Sequence, residues 1–296
     1  MKKEEDILLI FLTCEEFSKN ANSREFVHSG HFYSAVPSIE DRLSYLNGKR
    51  HNSLLLGIKI NDRKQIELLE IFRQFYDECP FPDEKSQQYR YYFVNPAYSY
   101  SDALSLYSMI RCFQPKKIIE IGSGYSSCVM LDTNDLFFKG QIEIMFIEPF
   151  PDLLRSLIHK EDKCYQIFSS PLQNVEIDVF KRLSANDILF IDSTHVSKLL
   201  SDVNRIFFEI LPSLQQGVLI HFHDIFWPFE YPTSWIKEGR AWNEAYMLRA
   251  FLEFNNSFEI ILFTSYLHSK YSDYFKRNMP LYLKDYGGNI WLRKVC

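Results

Sequence analysis

No CxxC pair occurs among the six cysteines (Cys14, Cys79, Cys112, Cys128, Cys164 and Cys296). Free thiols in a reducing compartment explain that spacing better than a thiolate zinc site or a disulfide framework. Basic charge is also lacking: 33 Lys and Arg stand against 38 Asp and Glu, for a net charge of -5. Without a general positive field, a nucleic-acid partner is not expected. No apolar run reaches the roughly 18–20 residues needed to span a bilayer. The opening MKKEEDILLIFLT mixes acids with its lysines and has no small-residue cleavage site, so it does not read as a signal peptide. The expected location is the cytoplasm. Internal repeats, low-complexity segments and a disorder signature are absent as well.

What is present is apolar and aromatic. Hydrophobic residues make up 46% of 296, enough for one large core or for a core plus a smaller lobe. Residues 1–100 lack a clean alternation of strands and helices. Only 63–78 shows helical spacing, at Ile66, Leu68, Leu69, Ile71 and Phe72, so 1–100 is read as an N-terminal lobe wrapped over the rest. From Ser101 the pattern is regular. A helix over 101–113 ends before Pro115, followed by strands at 117–121, 142–148, 164–168, 187–191 and 217–222. A helix over 198–211 precedes the fifth strand. Two late strands, 258–263 and 289–293, flank a Tyr- and Lys-rich stretch read as a surface excursion. Nearly continuous apolar strands alternating with helices predict an α/β fold with a mostly parallel sheet covered on both faces.

Lys117-Ile118-Ile119-Glu120-Ile121-Gly122-Ser123-Gly124 describes a strand opening into a glycine turn, and Glu148 ends the next strand with a carboxylate able to accept from a ribose diol. Glycines allow close backbone approach to a ligand. The third glycine of the dinucleotide fingerprint is replaced by Ser127, which favours a smaller, phosphate-free nucleoside cofactor over a pyrophosphate.

On these residues the chain resembles the class I S-adenosylmethionine-dependent methyltransferases. The stretches Gly30–Ser34 (GHFYS) and His221–Pro232 (HFHDIFWPFEYP) also resemble a bacterial subgroup related to enzymes of sugars and other small hydroxylated molecules. The resemblance covers about 100–296 and implies a Rossmann-like sandwich with seven strands, and S-adenosylmethionine as cofactor. It also implies that Glu120, Gly122, Ser123 and Gly124 wrap the methionine part and that Glu148 holds the ribose. Ser169, Ser170 and Leu172 would border the adenine, and Asp192 the methyl group. Gly287–Lys294 is similar to the final antiparallel strand of that fold.

The fourth and fifth strands end in Asp192-Ser193-Thr194-His195 and His221-Phe222-His223-Asp224. In a parallel sheet these tips share one edge, so Asp192, His195, His223 and Asp224 form a candidate catalytic group. A hydroxyl acceptor needs its proton removed, and imidazole suits that task near neutral pH. His195 or His223 would take the proton while Asp192 or Asp224 orients it; His221 reads more as a structural residue. Related sugar and catechol methyltransferases hold a divalent ion with acids at these strand ends. Asp192 and Asp224 match, and His223 stands where a carboxylate is expected, a substitution that suits a softer ion than magnesium. A metal-free acid–base pair and a bound divalent ion both stay open, and no metal ligand set is assigned.

Trp227, Trp235 and Trp242, with Glu230, Arg240, Asn243 and Glu244, read either as a wall for the acceptor or as a mini-core with an Arg240–Glu244 helix pair. His31, Tyr33 and Ser34 would close over the cleft, and Tyr98 and Asp102 would touch the cofactor carboxylate. The function expected is methyl transfer to a hydroxyl of a small-molecule or glycan acceptor. Alternatives are a nicotinamide-dependent oxidoreductase and a non-catalytic binding module. Homo-oligomerisation is left open.

Overall fold

The computed structural model describes residues 26–48, 55–159 and 165–296. The opening segment, Cys14 and Cys164 therefore lie outside the described residues, and the four other cysteines are free thiols. In chain order the elements are α1 (Ile39–Leu46), α2 (Asp62–Tyr76), α3 (Tyr100–Phe113), β1 (Lys117–Ile121), α4 (Tyr125–Phe138), β2 (Glu143–Ile147), α5 (Asp152–Leu157), β3 (Tyr165–Phe168), α6 (Ile177–Lys181) and β4 (Ile188–Ile191). They continue with α7 (Asp202–Arg205), a π-helical stretch (Ile206–Ile210), α8 (Leu211–Ser213), β5 (Leu219–His223), α9 (Thr233–Glu238), α10 (Glu244–Leu252), β6 (Phe258–Phe263), α11 (Thr264–Asn278) and β7 (Asn289–Lys294).

Two compact units form among the described residues: 26–48 with 233–241, and 55–159 with 165–232 and 242–296. In the smaller unit, Ser38 caps α1 reciprocally. Its hydroxyl accepts from the Asp41 N–H at 3.0 Å, and the Asp41 carboxylate accepts from the Ser38 N–H at 3.2 Å. His31, Tyr33 and Ser34 fold into a local turn in which the Ser34 N–H donates to the His31 carbonyl at 2.7 Å.

Residues 55–100, assigned to an N-terminal lobe by sequence, cluster with the larger unit. The reason is the buried stripe Gln65, Leu68, Leu69 and Phe72 of α2, at i, i+3, i+4 and i+7, which packs on α3 and β6. Ile71 falls off that face and is exposed. Gln65 fastens the helix to the sheet, accepting from the Phe263 N–H at 2.7 Å.

The sheet has seven strands in the order β3-β2-β1-β4-β5-β7-β6. Pairings are parallel from β3 through β5, while β7 runs antiparallel to both β5 and β6. All of β4 and β5 is buried, which is why their sequences are apolar on both faces except at His221 and the tips. The strand order reverses between β1 and β4, and a crevice opens there at the carboxyl ends. Two expectations change. The helix expected over 198–211 starts at Asp202 and widens into a π stretch before Pro212, which supplies no N–H and crowds the preceding turn. The stretch read as a surface excursion holds α11, whose Tyr266, Leu267 and Phe275 are buried.

Candidate active site

At the β1 tip the chain turns through Gly122 with φ +79°. The Gly122 N–H donates to the Ile147 carbonyl at 3.0 Å, and the Asp192 N–H donates to the Ile121 carbonyl at 2.8 Å, so three strand ends are stitched together. A Cβ at Gly122 would sit 2.1 Å from the Asp192 carbonyl oxygen. Only glycine fits. At Gly124 a Cβ would meet nothing closer than Leu153 at 3.6 Å, so the fold itself does not demand glycine there.

Beneath this turn Glu120 is fully buried and accepts hydrogen bonds from the Ser126 and Ser127 hydroxyls. Burial outweighs those donors and pushes its carboxyl up to about 8. Glu148, at the β2 tip, accepts from the Ser123 N–H at 3.1 Å and the Phe150 N–H at 2.8 Å. A cavity of about 440 Å³ opens between these tips, bordered by Gly122, Glu148, Phe150, Leu172 and Asp192.

The β4 and β5 tips bring a second group together. His195 has φ +60° and Asp224 φ +59°, left-handed conformations that cost a β-carbon residue about 1 kcal/mol or more. His195 is held in place by α10: the Asn243 and Glu244 N–H groups both donate to its carbonyl, at 3.0 and 3.1 Å. Its Nδ1 lies 2.9 Å from Glu244 Oε2, and its Nε2 lies 3.4 Å from Asp192 Oδ1 and 3.5 Å from Asp224 Oδ2. Across the cleft, His223 Nδ1 lies 3.4 Å from Asp192 and 3.8 Å from Asp224, with Nε2 3.7 Å from Asp102.

Electrostatics follow from the imbalance of four carboxylates (Asp102, Asp192, Asp224 and Glu244) around two imidazoles. Burial works against charge on His195, but hydrogen bonds to Asp192 and Glu244 prevail and raise it to about 10. His223 is likewise raised against its burial by Asp224 and Asp192. Asp192 is held well below the usual carboxylate range by both imidazoles despite desolvation, whereas burial raises Asp224. Asp192, His223 and Asp224 each offer a ligand atom within 4.8 Å of the others, a mixed oxygen and nitrogen set. Excess negative charge and that donor set fit a divalent cation of borderline softness.

The cavity gathers Gly122, Glu148, Leu172 and Asp192. Glu120, Ser123, Gly124 and Ser170 do not line it. Glu120 and Ser123 brace the turn and Glu148, and the Ser170 hydroxyl accepts from Asn174 at 2.9 Å. His195, Asp192, His223 and Asp224 converge as expected. His221 shares the face of His223 two residues on, but lies a layer deeper, stacked on Phe190 at 3.8 Å, and burial keeps it neutral.

The aromatic wall divides. Trp242 is half-buried against His195, with ring centroids 4.3 Å apart, while Trp227 packs into a mini-core with Phe263 and Tyr266. In the smaller unit Trp235 lies beneath the Arg240 guanidinium, and Arg240 pairs with Glu238. Two residues join the cluster beyond the four expected there: Glu244, read from sequence as part of a wall or a helix pair, and Asp102, read as a cofactor contact. An acid opening a helix was the only local signal for Glu244.

Among known proteins, residues 119–225 match the family described as a methyltransferase domain. An uncharacterized protein of Archaeoglobus fulgidus is 32% identical over 166 residues, spanning 54% of this chain and 74% of that protein. Two solved structures are similar at low identity. A Podospora anserina methyltransferase bound to S-adenosylhomocysteine is 16% identical, covering 87% of this chain and 95% of its own, with TM-score 0.42. A Streptomyces achromogenes O-methyltransferase of tomaymycin synthesis is 12% identical, covering 87% and 96%, with TM-score 0.39. The chain belongs to one family with the archaeal protein, and the sheet order and glycine turn agree with the methyltransferase-domain match over 119–225.

Proposed function

We propose that the protein transfers a methyl group from S-adenosylmethionine to a hydroxyl of a small or carbohydrate-like acceptor. The observation that carries this reading is the double place of Asp192. Its carbonyl oxygen closes on Gly122 beside the cavity, and its carboxylate stands among His195, His223 and Asp224. Donor and acceptor sites therefore adjoin. A volume of about 440 Å³ falls within the range of small-molecule sites, about 300–1,000 Å³.

Bound there, the cofactor would supply an electrophilic methyl on a sulfonium. Glu148, aimed by the Ser123 and Phe150 N–H groups, presents lone pairs to a ribose diol, and Leu172 presents an apolar surface to the base. A pyrophosphate suits the turn poorly, because the Ser127 hydroxyl already accepts from the Gly124 N–H and the Glu120 acid lies beneath. In its neutral form His195, with Asp192 and Asp224 beside its Nε2, takes the proton of the acceptor hydroxyl and makes that oxygen nucleophilic; raised to about 10, it is a strong base whose neutral form grows as the pH rises. Asp192, His223 and Asp224 would hold a divalent ion, which would lower the hydroxyl pKa; manganese, iron, cobalt or zinc suits this set better than magnesium. The Trp242 ring offers a flat face to a sugar or aromatic acceptor.

The test pairs binding with turnover. Calorimetry should show S-adenosylhomocysteine binding and no binding of a nicotinamide dinucleotide. His195→Ala should keep that binding and lose methyl transfer by about 10²–10⁴-fold. A blank titration, or full turnover by the variant, overturns the reading.

A further inference from the structure

Glu244 is the most enclosed acid of the cleft, fully buried, and both of its oxygens are committed. Oε1 accepts from the Ser193 hydroxyl at 2.8 Å and Oε2 faces His195 Nδ1 at 2.9 Å. Ser193 in turn accepts from the His195 N–H at 3.0 Å, so acid, serine and histidine close a ring of hydrogen bonds. Backbone contacts join the same parts. The first N–H groups of α10 hold the His195 carbonyl, and the next, at Ala245, donates to the Tyr231 hydroxyl at 3.0 Å.

An imidazole can flip by half a turn about its Cβ–Cγ bond, which puts ring carbons where its nitrogens were, and when neutral it can carry its one N–H on either nitrogen. Glu244 removes that freedom. Its Oε2 accepts a hydrogen bond from the Nδ1–H, leaving Nε2 directed at Asp192 and Asp224, while Trp242 covers the ring at 4.3 Å between centroids.

We infer that Glu244 is the positioning residue of the proposed methyl transfer: it fixes the His195 ring so that Nε2, and not Nδ1, meets the acceptor hydroxyl. This rests on the proposed function for its catalytic meaning, but the hydrogen bond can be tested without an acceptor. Proton spectra of the full-length protein should contain a slowly exchanging, far-downfield Nδ1–H resonance, assigned to His195 by its loss in His195→Gln. Glu244→Ala should abolish the resonance. Glu244→Gln, which still accepts but carries no charge, should keep it, shifted upfield and exchanging faster.

With a diol or catechol acceptor that the wild type methylates, Glu244→Gln should lower kcat about ten- to a hundredfold with the KM for S-adenosylmethionine unchanged. S-adenosylhomocysteine titration of the same samples separates the two readings: a blank with wild type defeats the cofactor assignment and leaves the resonance result standing. Absence of the resonance from wild type, its persistence in Glu244→Ala, or its unchanged position and exchange in Glu244→Gln would overturn the role of Glu244. Should Glu244→Ala fail to fold, the Gln variant decides alone.

Discussion

The β1 and β2 tips and the β4 and β5 tips meet at one edge of the sheet, yet they are built by different means. Around Gly122 the site is made of backbone: a left-handed glycine, stitched strand ends and a carboxylate aimed by two N–H groups. Around His195 it is made of side chains from four parts of the chain, Asp102, the Asp192–His195 turn, the His223–Asp224 turn and Glu244. Backbone geometry of the first kind tolerates little change in shape. A side-chain cluster of the second kind can lose a member and keep its fold, at the expense of chemistry.

That contrast can be broken most forcefully at the turn. Gly122→Ala places a methyl 2.1 Å from the Asp192 carbonyl in a left-handed conformation. It should cost about 3 kcal/mol in urea unfolding and abolish cofactor binding. Gly124→Ala should change stability by less than about 0.5 kcal/mol, because its Cβ meets only Leu153 at 3.6 Å. Equal losses at the two glycines would remove the distinction between a turn the fold needs and one a ligand needs.

A second effect should appear with pH. Glu120 is pushed up to about 8 from an ordinary value near 4.5, chiefly by burial. Such an acid takes up a proton on folding. Its contribution is therefore full below about 4.5 and is lost as the pH rises to about 8. Glu120→Gln should flatten the fall in stability between pH 5 and 8, and an unchanged slope would assign that fall to other groups. Smallest is Glu148→Gln, which keeps the shape of the cavity but loses a charged acceptor. The affinity for S-adenosylhomocysteine should drop about tenfold, near 1.4 kcal/mol, with stability unaltered. A variant that binds as tightly as wild type would place the ribose elsewhere.

How far the chain could be read depended on how local each feature is. β1 spans Lys117–Ile121 as expected, and β2 to β5 shift by only one or two residues at their ends, because runs such as Ile188–Ile191 are apolar on both faces and bounded by polar residues. Asp187 left β4 because its carboxylate accepts from the Lys116 and Lys117 N–H groups, tying the start of β1. α11 was hidden because its polar residues outnumber the few that pack, Tyr266, Leu267 and Phe275 among them. His221 and His223 look alike in sequence, and depth along one strand face separates them.

The strand pattern, the glycine at 122 and the acid at 148 were determined by sequence alone, since each follows from periodicity or from a backbone conformation a few residues long. Which nitrogen of His195 faces the cleft, and that Asp102 and Glu244 stand beside it, was decided only by tertiary structure. Pairing across 49 residues, as between His195 and Glu244, depends on how α10 packs, and no local pattern encodes that.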